Sequence, residues 1–344
     1  MQKENLFGKT KKELQNIAIG LGLAKFVGNQ LAEWIYKKNA PSLDDMHNIS
    51  KKAKSLLSDQ YVYEKSSYSS FQESIDGTKK YLFQVEGGQF IEAAYIPDKD
   101  RATLCVSSQV GCKMNCLFCM TGKQGFQANL SSAEILNQIY SLPEFEKLTN
   151  VVYMGMGEPL DNLDNVLKSI EILTAEYSLA WSPKRITVST IGLIPGMKTF
   201  LEQTTAHLAI SLHSPFEEER KKIMPVEKVY SLTRFLSEVK DFDFGGQRRL
   251  SFEYIMFKDF NDTKKHVDQL ARILNGVKCR INLIRFHPIP DTPLLGSDDK
   301  TILQFQSDLK KKGIITTIRA SRGQDIFAAC GLLSTKELLK SVKS

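Results

Sequence analysis

From Ala102 onward, short apolar runs typical of β-strands alternate with longer runs that have the 3.6-residue period of amphipathic helices. This alternation predicts an α/β fold with a parallel sheet or barrel, because parallel strands need crossovers and a helix usually supplies them. The functional site of such a fold lies beyond the carboxyl ends of the strands. The predicted strands are 102–107, 150–154, 185–190, 207–212, 250–256, 279–286 and 314–319, and the predicted helices are 131–142, 161–177, 195–202, 231–241, 262–275 and 298–312.

The first 97 residues follow other patterns. Residues 1–60 place apolar residues three and four apart, which predicts a helical accessory domain. Residues 61–97 hold strand-like runs between glycine turns, which predict a β-hairpin linker. We therefore divide the remainder into an α/β core at 98–331 and a basic C-terminal helix or tail at 332–344. No apolar run approaches the roughly 20 residues of a membrane span, and the first residues lack a secretory pattern, so we expect a cytoplasmic protein without membrane association.

The positive charge of the chain is concentrated at its two ends. The 344 residues carry a formal net charge of +7, of which 310–344 contribute +6 and 1–90 contribute +3 around a slightly acidic middle. This distribution is compatible with binding a polyanion at two points. Lysines that keep exposed helices soluble would produce the same charge, so composition alone does not decide between the two.

Four of the six cysteines fall within fifteen residues. Cys112, Cys116 and Cys119 form a C-x3-C-x2-C loop directly after the first core strand, and in an intracellular chain such a group favours a metal or cluster site over disulfides. Three thiolates without a fourth at matching spacing suit a 4Fe–4S cluster with one open iron, whereas structural zinc normally takes four ligands. Cys105 lies inside a predicted strand and is a poor fourth ligand. A zinc or four-cysteine ferredoxin-like site stays open as the alternative.

Several later strands end in residues that would meet at one rim. The second strand runs into Met154–Pro159, whose glycines allow close backbone approach and whose carboxylate can accept a hydrogen bond from an ammonium group. Taken alone, each of these residues could equally form a tight turn, a cap or part of the core. The rim candidates are Gly157, Glu158, Ser189, Ser211, Leu212 and His213.

With Phe118 as the aromatic residue of the cysteine loop, these motifs resemble those of radical S-adenosylmethionine (SAM) enzymes. The resemblance narrows to the RlmN/Cfr family of RNA methyltransferases and covers nearly the whole chain. It implies a partial (βα)6-type barrel, a 4Fe–4S cluster on the three loop cysteines, and SAM held by the rim residues, with His287 standing where many relatives have an asparagine. The stretches that carry the resemblance are Arg101–Cys112, Gln124–Phe126, Met154–Pro159, Ser211–His213 and Ala328–Gly331.

The resemblance also implies a reaction. Cys330 would take a methyl group from one SAM, and a radical from a second SAM would abstract hydrogen from that methyl group. The resulting carbon radical would add to an adenine, and Cys105 would release the product by forming a disulfide with Cys330. Glu92 would be the general base. RlmN-type members act on C2 of an adenine in 23S rRNA and on the adenine 3′ of the anticodon in some tRNAs, and Cfr-type members act on C8 of the same rRNA adenine.

Gln124–Phe126 and Ser321–Asp325 resemble the RlmN pattern rather than the Cfr pattern. We therefore expect 23S rRNA and tRNA as partners, gripped by the basic ends, together with a cellular electron donor and a disulfide reductant. A monomer is the default expectation. The alternative from a different functional class is a non-catalytic RNA-binding or redox protein that uses Cys105 and the loop cysteines for zinc.

Overall fold

The computed structural model describes residues 3–240, 242 and 250–335. Its central feature is one ten-stranded sheet in which every strand lies beside the next strand in the chain. The strands are β1 (Ser70–Glu73), β2 (Lys79–Gln84), β3 (Phe90–Asp98), β4 (Arg101–Val106), β5 (Asn150–Tyr153), β6 (Ile186–Thr190), β7 (His207–Ser211), β8 (Leu250–Met256), β9 (Cys279–Arg285) and β10 (Ile315–Ile318). Two short pairs, Glu4–Asn5 with Tyr61–Val62 and Gln109–Val110 with Ala128–Asn129, lie outside this sheet.

Strands β4 to β10 are all parallel. Their order never reverses, so all crossovers advance in one direction and the sheet curls as part of a barrel, without the switch point of an open doubly wound sheet. All seven predicted core strands and all six predicted core helices are present, with ends that shift by at most three residues. The predicted α/β partial barrel is confirmed.

The helices cover the outside of this barrel and form the N-terminal region. Ser131 and Glu134 form a capping box at the start of the first core helix. Helices α4 and α8 were not predicted, because five and seven residues are too few for a periodic signal. The helices are α1 (Lys11–Gly20), α2 (Lys25–Tyr36), α3 (Lys51–Gln60), α4 (Met120–Gln124), α5 (Ser132–Tyr140), α6 (Leu163–Thr174), α7 (Ile194–Gln203), α8 (Glu217–Ile223), α9 (Leu232–Lys240), α10 (Lys264–Ile273) and α11 (Asp299–Lys311).

The segment predicted as a hairpin linker continues the barrel sheet. Strands β1, β2 and β3 pair antiparallel with one another, and β3 pairs antiparallel with β4. The Ser107 hydroxyl donates to the backbone carbonyl of Glu92 at 2.6 Å, so this pairing carries Glu92 to the carboxyl end of the first barrel strand. The hairpins therefore contribute directly to the site.

The N-terminal helices share an aromatic contact with the barrel. The Tyr36 ring lies 5.9 Å from the ring centroids of both Tyr140 and Tyr177, and the Tyr36 hydroxyl donates to the Lys9 carbonyl at 2.6 Å. A Cβ on Gly8 would lie 2.7 Å from Ala133, so only glycine allows this approach. Within the described ranges no helix is long and apolar enough to cross a membrane. Residues 336–344 of the predicted basic tail lie outside the described residues, and the domain boundaries stay a prediction.

Candidate active site

A cavity of about 190 Å³ opens at the carboxyl ends of the barrel strands, where a βα barrel places its site. Its wall receives residues from β4 through β9 and from the loops that follow them. Most of the residues that the sequence singled out meet here. They are Cys105, Cys112, Cys116, Cys119, Gly157, Glu158, Ser189, Ser211, His213 and Cys330.

The cysteine loop connects β4 to α4. The Leu117 amide donates to the Ile223 carbonyl at 2.9 Å, and the Cys119 amide donates to the Cys116 carbonyl at 3.2 Å. Burial raises the pKa of Cys112 to about 12 and holds the pKa of Cys116 well above its usual range. Without metal, the Cys112 and Cys116 thiols are therefore protonated at neutral pH, and binding iron must release those protons.

The arrangement of these thiols fits a cluster. A 4Fe–4S cluster binds its cysteines through different iron atoms, so its ligands surround a space and do not converge on one point. Cys112, Cys116 and Cys119 line the same cavity. In the described part of the chain, no three His, Cys, Asp or Glu side chains converge where a single metal ion could sit. The three loop cysteines are a donor set that could hold a cluster with three cysteine ligands, and the same cavity also includes the polar rim.

The glycines after β5 are required by close contacts. Gly157 has a φ of +100°, and a Cβ there would lie 2.5 Å from the Cβ of Gln109. A Cβ on Gly155 would lie 2.7 Å from the Val106 carbonyl oxygen. The loop can therefore fold back against the end of β4 only with glycine at both positions. This fold places the next residue, Glu158, on the cavity wall.

Glu158 is buried, and both of its carboxylate oxygens accept backbone hydrogen bonds. Leu160 donates to Oε1 at 3.1 Å and Ile191 donates to Oε2 at 3.0 Å. Burial nevertheless raises the pKa of Glu158 to about 7, because these bonds and the Thr190 hydroxyl offset only part of the desolvation. Near neutral pH a positively charged donor in the cavity would draw this carboxyl to its ionised form.

His213 is a fixed hydrogen-bond donor. Its Nδ1 accepts from the Ile255 amide at 3.0 Å, which places the proton of the neutral ring on Nε2. Burial, together with the nearby Arg220 guanidinium, lowers the pKa of His213 to about 3, so the ring stays neutral at physiological pH. Its backbone has a φ of +54° and is held by Asn261, whose side-chain amide donates to the His213 carbonyl at 2.6 Å.

Cys105 on β4 and Cys330 near the C-terminus both line the cavity. All six cysteines are free thiols. Desolvation by the surrounding protein raises the pKa of Cys330 to about 11 and that of Cys105 to about 12. The charge of a Cys330 thiolate would raise the pKa of Cys105, and Arg319 favours the thiolate form of both residues. The disulfide between them stays a prediction.

Sequence reasoning missed the pair that orients Arg319. The Arg319 Nε lies 3.1 Å from the Oε2 of Glu253, and Asn282 donates to the Oε1 of Glu253 at 2.7 Å. Both cavity residues, Arg319 and Glu253, stand beside the two thiols. A signal was available, since Glu253 and Asn282 are polar residues inside strands that are otherwise mostly apolar.

Arg220 was also missed, because it lies in a run of charged residues that reads as an exposed helix face. Its buried guanidinium forms an ion pair with Glu227. It also donates to the Ile191 carbonyl at 2.8 Å and to the Ser211 carbonyl at 3.0 Å. Arg220 thus ties together the carboxyl ends of β6 and β7, which carry Ser189 and Ser211.

Three predicted residues lie away from this cavity. The Leu212 side chain is buried in the core, and its amide donates to the Glu253 carbonyl at 2.9 Å. His287 lines an adjoining cavity, which shares Arg319 and Cys330 with this one and reaches the amino ends of the strands. Glu92 lines a third cavity of about 460 Å³, where Lys80 Nζ lies 3.0 Å from its Oε1 and the Ser334 amide donates to its Oε2 at 2.9 Å. Burial raises the pKa of Glu92.

Comparison with known proteins agrees with this geometry. Residues 106–271 match the model of the radical SAM superfamily, and residues 4–62 match that of the ribosomal RNA large subunit methyltransferase N-terminal domain. A probable dual-specificity RNA methyltransferase RlmN of Phocaeicola vulgatus is 54% identical over 98% of this chain and 97% of its own length. The dual-specificity RNA methyltransferase RlmN of Syntrophus aciditrophicus is 40% identical over 98% of both chains.

A solved structure shows the same architecture. The radical SAM methyltransferase of Sphaerobacter thermophilus superimposes with a TM-score of 0.89 at 33% identity, covering 96% of this chain and 99% of that one. Family members share the cysteine-loop cluster and SAM as cofactors. Full-length identity, the barrel and the thiol cavity lead to one conclusion: the chain belongs to the RlmN methyltransferase family of the radical SAM superfamily.

Proposed function

We propose that this enzyme methylates C2 of an adenine in 23S rRNA and the adenine 3′ of the anticodon in some tRNAs, using Cys330 as the methyl carrier. The observation that carries the proposal is the shared cavity, which holds the three loop cysteines, the SAM rim and two further thiols. A redox or zinc protein would have no use for the buried rim. An ordinary SAM methyltransferase would have no use for the cysteine loop.

The target carbon explains the need for radical chemistry. C2 of adenine is electron-poor, so an electrophilic methyl group does not react there, whereas a carbon radical does. Cys112, Cys116 and Cys119 would hold the cluster, and SAM bound at the rim would supply the radical chemistry that removes hydrogen from a methyl group. In our proposal Glu158 accepts from the SAM amino group, and the Nε2–H of His213 donates to SAM. Ser189 and Ser211 also contact SAM in this proposal. Leu212 and His287 do not line the thiol cavity, so they would contact SAM through backbone atoms or after their loops move.

The two spare thiols take the remaining roles. Cys330 carries the methyl group and then, through that carbon, the bond to adenine. The Cys105 thiolate attacks the Cys330 sulfur, so that the S–S bond forms as the S–C bond breaks, and the released carbon takes up a proton and becomes the methyl group of the product. That step oxidises two thiols, so a cellular dithiol must return two electrons before the next turnover. Arg319, held by Glu253, stabilises the thiolate that each step needs. Glu92 takes the proton from C2, and the 327–334 segment, which stands between Glu92 and the thiol cavity, must move for Glu92 and Cys330 to reach the same adenine.

Both basic ends are the proposed RNA grip, and the proposed location is the cytoplasm, where ribosomes and tRNA occur. A cellular one-electron donor completes the set of partners. Because Tyr36 packs against barrel residues, deleting 1–60 would expose core surface. Lysine substitutions on α1 and α3 are therefore the better test of that grip, and they should lower RNA affinity and its salt dependence.

The test of the function uses anaerobic, cluster-loaded enzyme with a 23S rRNA fragment, tRNA and SAM bearing a deuterated methyl group. Mass spectrometry of the digested RNA should find labelled 2-methyladenosine with the wild type and none with Cys330→Ala. Labelled 8-methyladenosine would instead assign the Cfr-type reaction. Bound zinc with no RNA product and no 5′-deoxyadenosine would overturn the enzymatic proposal.

A further inference from the structure

The cavity beside Glu92 has a mostly apolar, partly aromatic wall that the proposed roles of the thiols and the SAM rim leave without a function. The segment 327–334 separates it from the thiol cavity, with Cys330 on one side and Phe327 and Ser334 on the other. The ion pair of Glu92 and Lys80 forms its charged part. Most of the remaining wall is apolar and consists of Leu82, Met120, Pro288, Ile289, Pro290 and Leu332.

Two phenylalanine rings line this cavity while staying open to solvent. Phe327 is 64% exposed and Phe71 is 47% exposed. Phe71 stacks on Tyr81 with ring centroids 5.6 Å apart and planes 27° apart, so one wall already presents a stacked aromatic pair. Two such rings on one cavity form an apolar surface that marks a binding site.

The backbone at Phe327 adds a second observation. Its φ is +54°, a left-handed conformation that glycine adopts readily and phenylalanine does not. Two nearby positions with positive φ, 323 at +60° and 331 at +82°, are both occupied by glycine. At Phe327 the chain keeps an aromatic side chain despite the strain, and strained positions of this kind concentrate at functional sites.

We propose that this cavity receives an unstacked base of the RNA substrate, with Phe327 as the stacking residue and Phe71 on its wall. The inference rests on the proposed RNA substrate. Bases turned out of RNA loops stack on aromatic side chains, and an enzyme that modifies a ring carbon must take the base out of its stack. A base held here lies beside Glu92, and the segment 327–334 that separates it from the thiol cavity is the one that carries Cys330, the proposed methyl carrier.

The test uses cluster-loaded, full-length protein and an RNA hairpin in which 2-aminopurine replaces one loop adenine. Phe327→Ala should raise the Kd for this RNA roughly five- to hundredfold and abolish the quenching of 2-aminopurine fluorescence that stacking produces. Phe327→Tyr should restore both, while Phe327→Leu should not. Leu303→Ala, at a residue that is 56% exposed on α11, is the matched control and should change neither.

The exposed position of Phe327 lets these variants fold, and an iron content and a melting temperature equal to those of the wild type should verify that they do. An unchanged Kd in Phe327→Ala, or full rescue by Phe327→Leu, would overturn the stacking role. If wild-type enzyme quenches the probe but methylates no RNA, the proposed function fails while the stacking result stands. The two proposals are therefore separable.

Discussion

The two walls of the thiol cavity are built on different principles. One wall, here called the strand-end wall, consists of Gly157, Glu158, Ser189, Ser211 and His213 and is fixed by the parallel sheet, by Arg220 and by contacts that only glycine allows.

The other wall is the C-terminal loop, residues 319–335, which carries Cys330. Two sets of contacts hold this loop: one with side chains of the hairpins, and one with the backbone and side chains around α4. An example of the second set is the hydrogen bond from the Met120 amide to the Gly331 carbonyl at 2.8 Å. The first wall suits a cofactor that must stay in place, and the second suits a thiol that must meet several partners in turn.

Removing a cysteine from each wall should separate the two functions. Cys116→Ala removes a proposed cluster ligand and should abolish iron loading, SAM cleavage and RNA methylation together. Cys330→Ala should leave iron content and SAM cleavage in place and reduce RNA methylation to background. Iron analysis, 5′-deoxyadenosine release and RNA mass spectrometry measure the three quantities. Cys279→Ala is the control thiol outside the cavity, and loss of cluster in Cys330→Ala would contradict this division.

The rigidity of the strand-end wall can be tested at Gly157. Gly157→Ala adds a Cβ 2.5 Å from Gln109 at a φ of +100°, so the loop must move and carry Glu158 with it. We expect SAM affinity to fall by at least a hundredfold and the free energy of unfolding to drop by about 2–4 kcal/mol. Gly276→Ala is matched in φ, at +80°, but meets nothing within 4 Å, so it should leave SAM binding intact. Equal effects of the two variants would refute the contact argument.

Most of the strand-end wall was predictable from sequence, and much of its surroundings was not. The βα alternation fixes the barrel and the edge at which Cys112, Gly157 and His213 meet. Glu92 lies on β3 and His287 in the loop after β9, and neither lines the thiol cavity. Their positions depend on long-range strand pairing and on the course of that loop, which no local periodicity encodes. The roles of Arg220 and Arg319 were not predicted, because an arginine is expected at the surface unless its buried ion-pair partner is known.

Electrostatics of the strand-end wall predict a pH dependence of SAM binding. Burial raises the pKa of Glu158 to about 7, so its carboxylate form, the proposed acceptor for the SAM amino group, grows as the pH rises from 6 to 8. The affinity of the wild type should therefore gain up to about tenfold over that range relative to Glu158→Gln, because about tenfold less carboxylate is present one unit below the pKa. Equilibrium dialysis of SAM measures both profiles, and titration of the SAM amino group itself affects them equally. Parallel profiles would exclude Glu158 as the titrating contact.

The smallest expected effect lies in the C-terminal loop. The Gly323 amide donates to Asp76 Oδ2 at 2.9 Å, and the Ser74 hydroxyl donates to Asp325 Oδ1 at 2.5 Å, so two carboxylates fasten the loop to the β1–β2 turn. Hydrogen bonds to its charged form, outweighing desolvation, lower the pKa of Asp76 to about 2, and that of Asp325 is lowered as well. This fastening is therefore fully present above about pH 4 and is lost as the pH falls through about 2.

At neutral pH, Asp76→Asn should loosen the loop without unfolding the barrel. The amide weakens the bond from Gly323 and removes the charge, so hydrogen exchange of peptides covering 323–335 should accelerate a few-fold, while peptides of β5 to β8 stay unchanged. Asp59→Asn, at an exposed carboxylate on α3, is the control. If the C-terminal loop kept its wild-type exchange rate, the hairpin would not be what holds it. The anchoring role would then pass to the contacts around α4 at Gln124 and Met120, and a matching change at Gln124 should produce the acceleration instead.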